Sequence, residues 1–181
     1  MADPSETYDM PRIPKTLLLI GGPMGVGKST VCEALLDLLQ PGVYLDGDWC
    51  WYMRPFSVTD ETRAMVLDNI CSMLSRFLSC PDLQYVIFGW VMHQQAILDT
   101  ICSRLSLDNV RVVKLSLLAS ENVLRERLER DIFEGKRTPD VIARSLSYLP
   151  LYQALDTEKL STDALTAAEA ARMIAAHLGV V

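Results

Sequence analysis

The segment Gly22-Pro23-Met24-Gly25-Val26-Gly27-Lys28-Ser29 places glycines, a lysine and a hydroxyl at the spacing GxxxxGK[ST]. Glycine lets backbone N–H groups converge on one set of anionic oxygens, and a helix beginning at the lysine aims its positive end at the same point. A polyphosphate is the natural ligand. Lys28 can neutralise a phosphoryl group in transfer, Ser29 can ligate a Mg2+ that bridges phosphates, and Thr30 can add a hydrogen bond. Gly22, Met24, Gly25, Val26, Gly27, Lys28, Ser29 and Thr30 are therefore the expected nucleotide-binding set. The other use of such a segment is a tight strand-to-helix turn with no ligand.

Asp46-Gly47-Asp48 supplies acids. Residues two apart in an extended segment point the same way, so both carboxylates can face one site, Asp46 near a metal and Asp48 near an acceptor hydroxyl. An Asx turn is the alternative use of the same residues. The rings of Trp49-Cys50-Trp51-Tyr52-Met53-Arg54-Pro55-Phe56 can stack on an acceptor or pack in a core, and Arg54 can pair an acceptor anion or stand at the surface. His93, after Gly89-Trp90, is an acceptor contact or a structural histidine. Farther along, a 3.6-residue period sets Arg127 and Arg130 on one flank of a Leu124 and Leu128 face and Arg125 on the other. These arginines can close over a transferring phosphoryl group, or form the i,i+4 pairs Arg125–Glu129, Glu126–Arg130 and Arg127–Asp131. Arg137 and Arg144 belong with them, and Gly135 offers a flexible point.

Holding these groups in place requires a regular alternation of strands and helices. An apolar run from Thr16 to Ile20 leads into the glycine-rich segment, and Val31, Leu35, Leu38 and Leu39 follow at helical spacing until Pro41 and Gly42. A strand from Val43 to Leu45 ends at the aspartates. A helix with Val66, Ile70, Met73 and Phe77 on one face closes at Pro81, and Tyr85 to Phe88 reads as a buried strand. Ile97, Ile101 and Leu105 mark another helix, and Val110 to Leu118 contains a fourth strand. Ser120 is placed to cap the helix of Leu124 and Leu128, and Thr138-Pro139 to start one carrying Ile142, Leu146 and Leu149. A fifth strand is expected near Ala154 to Asp156, before the capping box Thr166-Ala167-Ala168-Glu169 and a last helix ending at Gly179. The pattern predicts an α/β fold, a parallel sheet covered by helices on both faces. Ligands of such sheets collect outside the carboxyl ends of the strands, where the glycine-rich loop and the aspartates both fall.

The sequence resembles the small P-loop kinases that phosphorylate metabolites and nucleotides, the group containing shikimate, gluconate, adenylylsulfate and chloramphenicol kinases and the nucleoside monophosphate kinases. The resemblance runs from Lys15 to His177 and rests on GGPMGVGKST, YLDGD, LRERLERD and LDTEKLSTDALTAAEAARMI. It implies a five-stranded parallel sheet of the P-loop nucleoside triphosphate hydrolase fold, an acceptor-binding helical region over residues 49–80, and a lid over residues 127–149. It further implies transfer of the γ-phosphoryl group of ATP, with Mg2+, to a small-molecule acceptor such as a nucleotide, nucleoside or sugar-like metabolite. By that analogy Ser29 and Asp46 serve the metal, and Asp48 holds or deprotonates the acceptor beside Trp49, Arg54 and His93. Arg127 and Arg130 join Lys28 and Asp48 as catalytic residues, and Leu155 to Glu158 lie beside the adenine. One departure is Val86-Ile87-Phe88-Gly89-Trp90, which lacks the acid that many P-loop proteins carry at this strand end. It favours a P-loop ATP-binding protein without catalysis as one alternative reading; a nucleotide-dependent switch is another. The Asn/Thr-Lys-x-Asp element of guanine-specific switches is absent.

With 181 residues, 50% hydrophobic and 22% charged, the composition is that of one ordinary globular domain. Residues 1–14, with three prolines and three acids, read as a loosely held arm before a domain over residues 15–181. A net charge of −6 argues against broad nucleic-acid binding, and no apolar run reaches the ~18 to 20 residues of a membrane span. Cys32, Cys50, Cys71, Cys80 and Cys102 form no CxxC pair, so neither a disulfide framework nor a zinc ribbon is implied. With no signal-peptide pattern in residues 1–14, the expectation is a cytoplasmic protein with reduced thiols and a small-molecule partner.

Overall fold

The computed structural model describes residues 14–180. Strand β1 (Lys15–Gly21) sends Leu17 and Leu19 to one face and Leu18 and Ile20 to the other, and all four are fully buried. A strand buried on both faces belongs at the centre of a sheet. Accordingly β1 pairs in parallel with β3 (Tyr85–Gly89) on one side and β4 (Val110–Leu118) on the other. Beyond them lie β2 (Gly42–Asp46) and β5 (Glu158–Ser161), giving the order β2-β3-β1-β4-β5. In register, Ile20 and Asp46 both stand opposite Gly89, Gly21 opposite Ser116, and Leu118 opposite Ser161. The carboxyl ends of the five strands thus form one edge.

Helices cover both faces. On one side Leu18, Ile20, Ile87 and Leu117 meet Val31, Cys32 and Leu35 of α1 (Lys28–Leu38) and Ala170, Ala171 and Ile174 of α6 (Ala167–Leu178). On the other, Leu17, Leu19, Val86 and Phe88 meet Val66, Ile70 and Leu74 of α2 (Asp60–Ser79) and Leu98 and Ile101 of α3 (Gln95–Ser103). The connection from β4 to β5 holds α4 (Glu121–Phe133) and α5 (Asp140–Gln153), joined by residues 134–139. The α/β sandwich with a five-stranded parallel sheet is the expected fold class.

Several details differ from the sequence reading. The last strand is Glu158–Ser161 rather than Ala154 to Asp156: α5 continues through Pro150 to Gln153, and Leu155 enters the α2–α3 core from the turn after it. Met73, expected on the buried face of α2, is 37% exposed, while Cys71 and Leu74 take the core positions. Ser120 occupies the N-cap position of α4 without a side-chain cap, and its N–H instead donates to Asp163 Oδ1 at 2.7 Å. The Thr166–Glu169 capping box forms as expected, Glu169 N–H donating to Thr166 Oγ1 and Thr166 N–H to Glu169 Oε2. The arm assigned to residues 1–14 lies, up to residue 13, outside the described residues.

Candidate active site

Between the end of β1 and the start of α1, residues 22–27 turn the chain through conformations that need glycine. At Gly25 φ is +82°, and a Cβ there would lie 2.8 Å from the Leu128 side chain of α4, so the loop is seated against that helix. Gly27 takes the N-cap position of α1 with no side-chain cap, and no acid stands in the first turn. The positive end of α1 and its unpaired N–H groups are left to an anionic ligand. Lys28 Nζ donates to the carbonyls of Gly22 (2.9 Å) and Pro23 (3.0 Å), which folds its side chain back over the loop. Burial lowers its pKa from 10.5 to about 8, with Arg137 adding to the fall and the carboxylates of Asp48 and Asp46 opposing it.

Asp46 closes β2 and does two jobs. Its Oδ1 accepts from the Asp48 N–H at 2.9 Å, forming the Asx turn that starts a 3-10 turn over Gly47–Trp51. Its Oδ2 accepts from Ser29 Oγ at 2.8 Å and from Tyr44 Oη at 2.9 Å. The carboxylate is therefore held against the first turn of α1. Gly47 is buried because the Trp90 ring lies on it: a Cβ there would fall 2.4 Å from the indole. Asp48 stands at the cleft mouth, its pKa raised by partial withdrawal of the carboxyl from water and then by Asp46, against the counter-effects of Lys28 and the Trp90 indole N–H. Two carboxylates beside one lysine make a site in which a proton can be accepted at Asp48 and a cation held at Asp46.

These groups share one cleft of about 440 Å3, lined by Met24, Gly25, Gly27, Lys28, Ser29 and Thr30 on the loop and by Asp46, Asp48, Gly89, Trp90 and Val91 at the strand ends. The opposite wall is α4 and the link to α5, carrying Arg127, Arg130, Asp131, Glu134, Lys136 and Arg137. The candidate arginines separate here. Arg127 is committed to the protein, donating to Val26 O (3.1 Å), Thr162 Oγ1 (3.1 Å) and Thr162 O (2.8 Å). Arg130 is exposed and lines the cleft; Arg137 also lines it, with its Nε on Asp131 Oδ2 at 3.1 Å. None of the i,i+4 pairs read from the sequence forms; Arg125 pairs with Glu121 and Lys136 with Glu134 instead. Gly22 and Val26 are the buried members of the predicted phosphate-binding set and do not line this cleft.

The remaining candidates lie apart from this cleft. His93 stacks on Tyr148 of α5, ring centroids 4.1 Å apart and planes 4° apart, with its Nδ1 buried and unpartnered among the described residues. Arg54 is exposed in the link to α2. Trp49 is 63% exposed, its ring 5.9 Å from Tyr44, whereas Trp51 is packed against the α2–α3 core. Leu155 to Glu158 do not line the cleft at the carboxyl edge: Leu155 is core, the Asp156 N–H donates to Gln95 Oε1 at 2.9 Å and Thr157 Oγ1 bonds Ser116 Oγ at 2.7 Å. At that edge Thr162, Leu165 and Ala170, with Val26, Thr30 and Arg127, line a second cavity of about 170 Å3. Trp90, Tyr44, Lys136 and Thr162 were not singled out as site residues from sequence. The position of Trp90, just past a buried strand, was the available signal.

The donor set suits Mg2+. Ser29 Oγ and Asp46 Oδ2 are hard oxygen donors beside the phosphate cradle. Among the described residues no group of three His, Cys, Asp or Glu could hold a metal by itself.

Comparison with known families adds one decisive observation: the family described as AAA domain matches residues 18–143, well over half of the chain. The chain belongs to the AAA domain family. Solved structures similar to this AAA domain protein include a gluconokinase from Sinorhizobium meliloti 1021, at 21% identity and a TM-score of 0.67 over 93% of each chain. The Deinococcus radiodurans tunicamycin resistance protein aligns at 21% identity and a TM-score of 0.64, over 92% of this chain and 97% of its own. A sugar kinase from Janibacter sp. HTCC2649 aligns at 16% identity and a TM-score of 0.65, over 93% of this chain and 96% of its own. The fold of this AAA domain protein is that of small P-loop kinases. No curated protein matches its sequence. Among the described residues no helix is long and apolar enough to cross a membrane.

Proposed function

We propose that this protein is an ATP- and Mg2+-dependent kinase that transfers the γ-phosphoryl group to a hydroxyl of a small molecule. The observation that carries the reading is the shared cleft, in which the phosphate loop, the aspartate pair and the cations of α4 and its following link face one another. The loop N–H groups and Lys28 bind the polyphosphate, and Lys28 exchanges the carbonyls of Gly22 and Pro23 for phosphate oxygens. Arg127 fixes the loop to Thr162 beside the smaller cavity, where the nucleoside sits. Ser29 and Asp46 would hold Mg2+, which when bound neutralises phosphate charge. Asp48 accepts the proton of the attacking hydroxyl, a role that its raised pKa favours. Arg130 and Arg137 stabilise charge on the moving group, a process that needs positioning and electrostatics more than covalent chemistry.

Release of ADP measured with and without hydroxyl acceptors tests this. Acceptor-stimulated release that falls about 10²- to 10³-fold in Asp48→Asn, with ATP binding retained, supports the reading. Acceptor-independent hydrolysis untouched by Asp48→Asn would replace it with a switch, and ATP binding without any turnover would leave a non-catalytic binder.

A further inference from the structure

Helix α5 meets the phosphate loop through one stripe of polar side chains. Ser145, Tyr148 and Tyr152 recur at i, i+3 and i+7, and Ser145 and Tyr152 are fully buried. Ser145 Oγ donates to Met24 O at 2.7 Å, which ties the helix to the middle of the loop. Tyr148 stacks on His93, from the segment after β3, and so fixes the rotation of the helix. Tyr152 reaches the entrance of the loop: a Cβ at Gly21 would meet its Cε1 at 3.7 Å.

The Tyr152 hydroxyl is in an unusual position for a buried group, because its Oη has no hydrogen-bond partner among the described residues. Phenylalanine would fill the same space without leaving a polar atom unpaired. Burial raises the pKa of the phenol and the Gly22 backbone amide opposes that rise, so Oη stands beside the Gly22 peptide. Lys28 is anchored at the same residue. Of the two carbonyls that hold its Nζ, Pro23 O also accepts from the Val26 N–H at 3.4 Å, whereas Gly22 O has no other donor among the described residues. When Lys28 turns to a polyphosphate, a buried residue is therefore left with an unpaired acceptor. Beside it stands a hydroxyl whose proton has no acceptor.

We propose that Tyr152 is a positioning residue of the phosphate loop: its hydroxyl donates to the Gly22 carbonyl when Lys28 releases it, so that the loop keeps its shape while the lysine serves the ligand. The inference rests on the reading of Lys28 as a phosphate ligand. Tyr152 acts through the loop and stays clear of the nucleotide. With Lys28 on the loop the hydroxyl is idle; with Lys28 on phosphate it replaces the bond that Gly22 has lost.

Tyr152→Phe removes the hydroxyl and keeps the ring. In the unliganded wild-type background the melting temperature is expected to change by no more than about 1 °C. With Lys28→Ala as background the Gly22 carbonyl is free from the outset and the hydroxyl already engaged, so the same substitution is expected to lower the melting temperature by about 2–5 °C. Should Lys28→Ala fail to fold, Lys28→Met supplies that background. Ser145→Ala removes a bond formed in both states and is expected to lower the melting temperature equally in the two backgrounds. Calorimetry with a non-hydrolysable ATP analogue and Mg2+ is expected to show binding weakened about 3- to 10-fold by Tyr152→Phe alone. An effect of Tyr152→Phe on melting that is equal in both backgrounds would make the hydroxyl a structural group like Ser145, and unchanged affinity for the analogue would mean that Lys28 moves without it. Either result overturns the proposal. Coupling of the two positions in melting, in a wild-type protein that binds no nucleotide, would keep the bond between Tyr152 and Gly22 and remove the kinase reading instead.

Discussion

Lys28 is a cation withdrawn from water whose hydrogen bonds, in the described structure, go to two loop carbonyls. Its proton leaves near pH 8 in the folded protein but near 10.5 in the unfolded chain, so between these values the unfolded state binds more protons and folding stability rises with pH. A polyphosphate in the cradle reverses the balance by favouring the charged amine. Nucleotide binding should therefore take up a proton above pH 8, and affinity should fall as pH rises from 8 toward 10; titration in buffers of different ionisation enthalpy counts the proton directly. The two arginines of α4 divide in the same physical terms. Arg127→Ala leaves Val26 O and Thr162 O with only their longer donors, Thr162 Oγ1 and the Leu165 N–H at 3.4 Å each, and should cost about 1–3 kcal/mol, seen as a lower melting temperature. Arg130→Ala removes an exposed side chain and should leave the melting temperature almost unchanged while lowering kcat about 10- to 10³-fold.

At the scale of elements, the loop and α4 are fitted to each other at Gly25. Gly25→Ala forces an L-residue into φ +82° with its Cβ against Leu128, and should cost about 1–3 kcal/mol together with nucleotide affinity. Thr166→Ala, which removes the N-cap of α6, should cost about 1 kcal/mol and leave that affinity alone. Thermal melts with and without ATP separate the two variants. β1 and β3 are legible in sequence because they are buried on both faces and carry unbroken apolar runs; β2 and β4 are legible from shorter apolar stretches, β2 being mostly half-buried and β4 interrupted by Arg111, Lys114 and Ser116. The fifth was misplaced because Glu-Lys-Leu-Ser is a short edge strand that is mostly exposed, and hydrophobicity carries no trace of it. Met73 was misread for the opposite reason: a helical apolar period does not tell a core residue from one that lines an open groove. The phosphate loop was legible because its geometry demands particular residue types. The commitment of Arg127 to Thr162, 35 positions away, and the contact of Trp90 with Gly47 are tertiary facts that no local period encodes.

For the whole molecule, the strand order makes the site. The chain moves outward from β1 to β2, returns through β3, and crosses to β4, so connections leave in opposite directions on either side of β1 and open a crevice at the carboxyl edge. The loop after β1, the aspartates after β2 and Trp90 after β3 meet there, and α4 and α5 span the β4–β5 side. Because a ligand in that crevice touches several elements at once, it should stabilise the fold as a unit. Mg·ATP at about a hundred times its dissociation constant should add about 2.7 kcal/mol and raise the melting temperature by about 5–10 °C. The central claim is that the cradle between β1 and α1 grips a triphosphate through backbone N–H groups and Lys28, and calorimetric titration of wild type and Lys28→Ala with Mg·ATP tests it most directly. Saturable binding in the wild type and a loss of at least about tenfold in a Lys28→Ala protein that remains folded is the predicted result. Absence of binding by the wild type, or equal affinity in the two proteins, would contradict it.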